Sequence, residues 1–216
     1  MRVSVLQLDT RFPRIPGDVG CVETYIHAPD IIRVPKASVA QVVTAQPESI
    51  DPEPFVQAAQ QAVGDVVVTS CGFLAPFQEE IAAVLDRPFL ASSLMALPEV
   101  CRDGRKVWVM TFDKAALGPA HLGEAALGGV IGLPEGCHLR QVIAGDRTEL
   151  DVDLAQEELV GLVSEHLPKS CDVLVLECTN LPPYKAAIRS VWGGEVVDLL
   201  TLIEGTCPKT IRPQFL

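Results

Sequence analysis

The chain has 216 residues, 48% of them hydrophobic and 21% charged, with a net charge of −11. That is enough apolar material for buried sheets, and with no basic block it argues against a nucleic-acid or anionic-membrane surface. No apolar run reaches 18 residues, and the first strand pattern meets Asp9 and Arg11 early, which predicts a cytoplasmic protein without membrane span or signal peptide. Apolar runs of four to eight residues, each followed by a helical stretch, predict parallel strands covered on both faces. In chain order the strands are expected near 2–8, 39–44, 65–69 and 88–91, then 105–111, 139–143, 172–176 and 195–198. Helices are expected over 54–63, 76–85, 92–100, 114–127, 154–167 and 182–191. The fold class is α/β, with two doubly wound lobes, each carrying a mainly parallel sheet of about four strands, and an active cleft between them. The first lobe takes residues 1–100 and the second 101–198, with 199–216 returning to the first.

The chain repeats itself. Asp65-Val-Val-Val-Thr-Ser-Cys71 reappears as Asp172-Val-Leu-Val-Leu-Glu-Cys178, and Val3-Ser-Val-Leu-Gln-Leu-Asp9 aligns with Val107-Trp-Val-Met-Thr-Phe-Asp113. Two lobes related by a pseudo-twofold axis would aim the thiols of Cys71 and Cys178 at one another across the cleft. Ligands bind at the carboxyl ends of strands in open α/β sheets, and both cysteines stand there, each followed by a proline four or five residues on that suits the first turn of a helix. A helix N-terminus would favour the thiolate and bring the pKa toward neutrality. Taken singly, either cysteine reads as a small buried hydrophobe; the symmetric pair reads as acid–base chemistry on two faces of a small substrate. The seven cysteines include no Cys-x-x-Cys, and the four histidines have no metal-ligand spacing to them, so neither a disulfide framework nor a metal site is expected.

These segments resemble the cofactor-independent aspartate/glutamate racemase superfamily, most specifically in the Thr-Ser-Cys71 and Cys178-Thr179 strand ends, and the likeness covers most of the chain. The resemblance implies that one thiolate removes the α-proton of a carboxylate substrate while the other thiol protonates the opposite face, with no organic cofactor. Cys71 and Cys178 take those roles. A homodimer is compatible with this reading. In the family the first cysteine is usually followed by Asn-Thr and the second preceded by Gly; here Gly72-Phe73 follows and Glu177 precedes. Phe73 would form an apolar wall, and Glu177 would set a like charge beside a thiolate. The substrate therefore need not be an amino acid.

The remaining candidates for substrate contact are Asp9, Thr24, Gly72, Phe73, Thr111, Thr179 and Asn180. Asp9 reads equally as a turn residue, and Thr24 closes the glycine-containing loop Gly17–Thr24. Thr111 occupies the strand end matched with Gln7. Ser92-Ser93 caps a helix, Gly128–Gly132 reads as a loop, and His121, His138 and His166 read as surface or satisfied polar residues. The leading expectation is a racemase or isomerase of a small carboxylate-bearing compound. The alternatives are a lyase or maleate-isomerase-like enzyme of the same fold, with one thiolate attacking a double bond, and an inactive small-ligand-binding protein.

Overall fold

The computed structural model describes the backbone of residues 1–216 and the side chains of all except Asp103. Its first half runs through β1 (Val3–Leu8), β2 (Asp30–Val34), α1 (Val39–Val42), α2 (Glu53–Gln60), β3 (Val66–Thr69), α3 (Gln78–Ala82), β4 (Phe89–Leu90) and α4 (Leu97–Val100). The second half runs through β5 (Val107–Thr111), α5 (Pro119–Leu122), β6 (Leu127–Gly132), α6 (His138–Ala144), α7 (Val152–His166), β7 (Val173–Leu176), α8 (Lys185–Val191), β8 (Glu195–Val197) and α9 (Leu199–Thr206). Two four-stranded parallel sheets result, ordered β2-β1-β3-β4 and β6-β5-β7-β8.

The repeat is a repeat of register. Val3 pairs with Val66 and Leu6 with Thr69, while their counterparts pair as Val107 with Val173 and Met110 with Leu176. The aspartates of the repeat do the same work in each half: Asp65 accepts the Arg2 N–H and Asp172 the Lys106 N–H, each at 2.8 Å. Each thus pins the start of a central strand to its neighbour. Every residue of β1, β3 and β7 is buried, as strands covered on both faces must be. Successive residues of β3 face opposite ways, with Val67 in the main core and Val66 and Val68 in a second cluster. In that second cluster Leu199, Leu200 and Ile203 of α9 pack with Val3 and Val5 of β1.

Two expected strands are helices. Residues 39–44 and 139–143 hold α1 and α6, whose buried positions, Val39 and Val42 in one and Leu139, Val142 and Ile143 in the other, follow the helical spacing of three and four. The strands lie elsewhere. β2 carries Asp30 and Arg33 on a half-buried outer strand, and β6 occupies the glycine run expected to be a loop. The helix expected over 114–127 shrinks to α5. The glycines of β6 have a packing cause: side chains at Gly128 and Gly129 would collide with the indole of Trp108 on β5. Gly128 is also the extra residue at a shift in register between Val107 and Trp108. No helix among the described residues is long and apolar enough to cross a membrane.

Candidate active site

The carboxyl ends of the central strands meet in one small cavity. Its wall includes Leu8, Ser70, Cys71 and Gly72 from the first half and their repeat mates Phe112, Glu177, Cys178 and Thr179 from the second. Phe12, Val39, Val43, Phe73, Ile143 and Asn180 complete it. The volume is about 20 Å³, room for one water-sized group. A larger groove of about 560 Å³, lined by Leu94, Leu97, His121 and Leu122 among others, contains neither paired cysteine. Paired chemical groups weigh more than volume in placing a site, so the smaller cavity is the candidate.

Hydrogen bonds tie the halves together around it. The Thr179 hydroxyl donates to the Ser70 carbonyl at 2.6 Å, the Ser93 hydroxyl to the Leu176 carbonyl at 2.7 Å, and the Asn180 amide to Asp18 Oδ2. Asp18 is buried and paired with Arg14 at 3.1 Å. The Arg14 guanidinium lies 4.7 Å from the centre of the Phe12 ring, and that of Arg140 lies 5.2 Å from Phe112. Ser70 accepts the Leu8 N–H at 3.0 Å, which locks the loop that carries Cys71.

The thiols overturn one expectation. The Phe73 N–H favours the Cys71 thiolate and the Asn180 N–H that of Cys178, the help expected of a helix start. Burial outweighs it, and the nearby Glu177 carboxyl adds repulsion. Cys71 is pushed up to about 12, and Cys178 moves well above the usual thiol range for the same reasons, with the neighbouring Cys71 contributing. In this cavity both are held as thiols. The segment after Cys71 is a 3-10 turn, Gly72–Phe77, and the one before α8 is Pro182–Tyr184, so neither sulfur sits at the mouth of a long α-helix.

Glu177 is the largest surprise. It is 1% exposed, its Oε2 accepts the Thr111 hydroxyl at 2.7 Å, and its Oε1 has no partner among the described residues. Burial raises its pKa to about 7 against the pull of the hydrogen bonds from Thr111 and the Phe112 N–H. A Cβ on residue 72 would overlap both Oε1 and the backbone carbonyl of Glu177. Gly72 is therefore the space that Glu177 fills.

Of the residues singled out from sequence, Cys71, Gly72, Phe73, Cys178, Thr179 and Asn180 line the cavity. Thr111 stands behind it, gripping Glu177. Asp9 does not reach it; its carboxylate receives Arg33 at 3.4 Å and the Lys36 N–H at 3.2 Å in an exposed turn. Thr24 is also outside the wall, accepting the Gly17 N–H at 2.9 Å and donating to the Asp18 carbonyl at 2.7 Å, which shapes the loop that presents Asp18 to Asn180. His121 is not a satisfied polar residue. It is buried, its Nδ1 accepts the Gly118 N–H at 3.3 Å, its Nε2 has no partner among the described residues, and its ring meets the edge of Phe73 at 5.2 Å. Leu8, Ser70 and Phe112 were missed, although the repeat offered a signal: each stands beside a matched position, and strand alternation turns Leu8 and Phe112 inward rather than Gln7 and Thr111.

Among curated proteins the chain is similar to a dimethylsulfoniopropionate lyase of Durusdinium sp. clade D, 26% identical across 92% of this chain and 71% of that one. It is similar as well to dimethylsulfoniopropionate lyase 7 of Emiliania huxleyi, 27% identical across 92% of this chain and 64% of that one; it thus spans less than two thirds of the latter. In fold it is similar to the crystal structure of allantoin racemase from Pseudomonas fluorescens, with a TM-score of 0.61 at 16% identity over 93% of this chain and 86% of that one. The model of the Asp/Glu/Hydantoin racemase family matches residues 19–203, and the chain belongs to that family.

Proposed function

We propose that the protein removes the α-proton of a small carboxylate compound by acid–base catalysis between Cys71 and Cys178, without an organic cofactor. One sulfur, as thiolate, takes the proton; the other delivers one to the opposite face, giving racemisation or isomerisation. The observation that carries this reading is the arrival of both cysteines, from equivalent strand ends, in the wall of one small cavity. Exclusion of water strengthens every electrostatic contact made there. A cavity of about 20 Å³ admits a substrate only as the two halves part, and that opening brings the thiols toward water and eases ionisation of the base.

A second reading is elimination. The thiolate takes the α-proton, the C–H electron pair becomes a C=C bond, and a β-substituent leaves with its own bonding pair. Gly72 and Phe73 favour it, since they stand where the family resemblance places the polar Asn-Thr associated with an amino-acid head group. The two curated relatives described above are named as lyases of dimethylsulfoniopropionate, a propionate bearing a sulfonium leaving group.

One experiment separates the readings: incubation in D₂O with amino acids, hydantoins, dicarboxylates and β-substituted propionates, followed by proton NMR. Racemisation exchanges the α-proton and scrambles the centre; elimination yields vinyl signals. No exchange and no vinyl product across the panel would sink both.

A further inference from the structure

Besides the two thiols, Glu177 is the ionisable side chain in the cavity wall among the described residues, and the two-thiol scheme gives it no task. Its Oε2 is engaged with Thr111. Its Oε1 faces Gly72 with no partner, an uncommon and costly state for a buried oxygen.

The chemistry proposed for the cavity lacks something that Oε1 can supply. When an α-proton leaves a carboxylate, charge builds on the two carboxylate oxygens and needs cations or hydrogen-bond donors placed in advance. No cationic side chain lines the cavity among the described residues. Arg14 lies behind Ser70 and is committed to Asp18; Arg140 is committed to Asp113 and to two carbonyls. Of the neighbouring side-chain donors, the Thr179 hydroxyl is occupied by the Ser70 carbonyl and one Asn180 amide N–H by Asp18, while the Ser70 hydroxyl oxygen accepts from the Leu8 N–H and Arg14. A carboxylic acid at position 177, with Oε2 accepting from Thr111, carries its proton on Oε1.

We propose that Glu177 is a catalytic residue, its Oε1 hydroxyl donating a hydrogen bond to the substrate carboxylate and to the enediolate formed as the α-proton leaves. This rests on the two-thiol reading and is common to racemisation and elimination. The base thiolate gains the α-proton and becomes a thiol. The C–H pair delocalises onto the carboxylate oxygens, against which Glu177 donates while keeping its proton. The pair then returns to carbon with a proton from the other thiol, or forms the double bond as the β-substituent departs. The titratable groups that bear on Glu177 are Cys71, across Gly72, and Cys178, next in the chain. An ionised Glu177 would oppose either thiolate; a neutral one removes that opposition. Burial brings its titration to about pH 7, so the neutral form is readily populated.

The test compares Glu177→Gln with Glu177→Leu in α-proton exchange or product formation between pH 5 and 9. Leu removes the donor, and a fall of about 10²–10³-fold in kcat, larger than any change in KM, is expected, as for loss of a donor to a developing oxyanion. Gln can accept from Thr111 and donate from the position of Oε1; it is expected to recover most of what Leu loses and to abolish the inflection near pH 7. A Gln variant as inactive as the Leu variant at pH 6 means that a carboxylate is required and overturns the proposal, as does full activity in the Leu variant. An infrared arm needs no turnover. Wild-type protein at pH 6 should show a protonated-carboxyl C=O band that is absent from Glu177→Gln, and malonate, as a small dicarboxylate probe, should shift it. A band that malonate leaves unmoved overturns the proposal even where the thiols prove catalytic. Full exchange in both Cys71→Ser and Cys178→Ser would instead remove the thiol chemistry, with the infrared arm still deciding the state of Glu177.

Discussion

The ends of β3 and β7 are the same structure built twice and then filled differently. In both, an aspartate fixes the start of the strand, the residue before the cysteine bonds back to the central strand (Ser70 to the Leu6 carbonyl at 3.0 Å, Glu177 to that of Met110 at 2.8 Å), and the sulfur faces one shared cavity. The side chains part company at one step. Ser70 is small and ties its own loop to Leu8, whereas Glu177 reaches across to Gly72 of the other half. Backbone symmetry brings the thiols together; side-chain asymmetry decides what surrounds them. The duplicated scaffold thus supplies the pair, and a single added carboxyl gives its two members unlike neighbours.

The strongest way to break this comparison is to remove each thiol in turn. Cys71→Ser and Cys178→Ser are each expected to lower interconversion of enantiomers by about 10²–10⁴-fold, because a hydroxyl is a far poorer acid than a thiol. Deuterium wash-in should survive only for the enantiomer whose α-proton faces the remaining cysteine. If one variant keeps full activity, the halves are not partners in a two-base reaction.

The next effect lies in stability. Between pH 4.5, its ordinary value, and about 7, the folded protein holds a proton on Glu177 that the unfolded chain has released. Stability from this group is therefore fully present below that window and falls as pH rises through it. Glu177→Gln, which cannot ionise, is expected to gain on the order of 3 kcal/mol over wild type at pH 8 relative to pH 5, as read by urea unfolding at the two pH values. An equal difference at both would mean that the carboxyl is not desolvated.

A smaller contrast sets Gly72→Ala against Thr179→Ala, the two residues after the paired cysteines. The first forces a methyl group into the Glu177 carboxyl and is expected to cost about 1–3 kcal/mol. The second loses one buried hydrogen bond, worth about 1 kcal/mol. Combining Gly72→Ala with Glu177→Ala should restore only part of the loss, because the methyl group still meets the backbone carbonyl of residue 177, and a strictly additive double variant would deny the side-chain contact. Smallest and most symmetrical are Asp65→Ala and Asp172→Ala, each expected to cost about 1 kcal/mol, since each removes the same bond to the same kind of strand start. Unequal midpoints in chemical denaturation would show that the register pins are not equivalent.

Sequence alone displayed the inner strands and the thiol pair, because buried parallel strands are runs of Val and Leu and a repeat keeps its register. It misled at two of the four outer strands, β2 and β6, while β4 and β8 lie where expected. β2 mixes Asp30 and Arg33 into its pattern, and the glycines of β6 answer to Trp108, a residue on another strand. α1 and α6 are short apolar segments whose helical spacing passes for a strand over so few residues. In the site, positions adjacent to the cysteines could be named, but the ionisation of the thiols could not. That depends on burial against residues such as Phe12, Val39, Phe112 and Ile143, drawn from distant points of the chain. Glu177 could be seen as a charge near a thiol; its fit over Gly72 exists only after folding.

That fit also limits how such a site can change by single mutations. A side chain at position 72 meets both the carboxyl and the backbone carbonyl of Glu177, so a chain with Asn after its first cysteine and Gly before its second, the arrangement this one resembles, meets the carboxyl clash if the glutamate comes first. Placing glycine at 72 while 177 is still small avoids it. The reverse route begins by giving up the glutamate. Gly72 is permissive for Glu177, so grafting Glu177 alone into a relative that keeps a side chain after its first cysteine should cost stability, about the 1–3 kcal/mol expected of an overpacked contact.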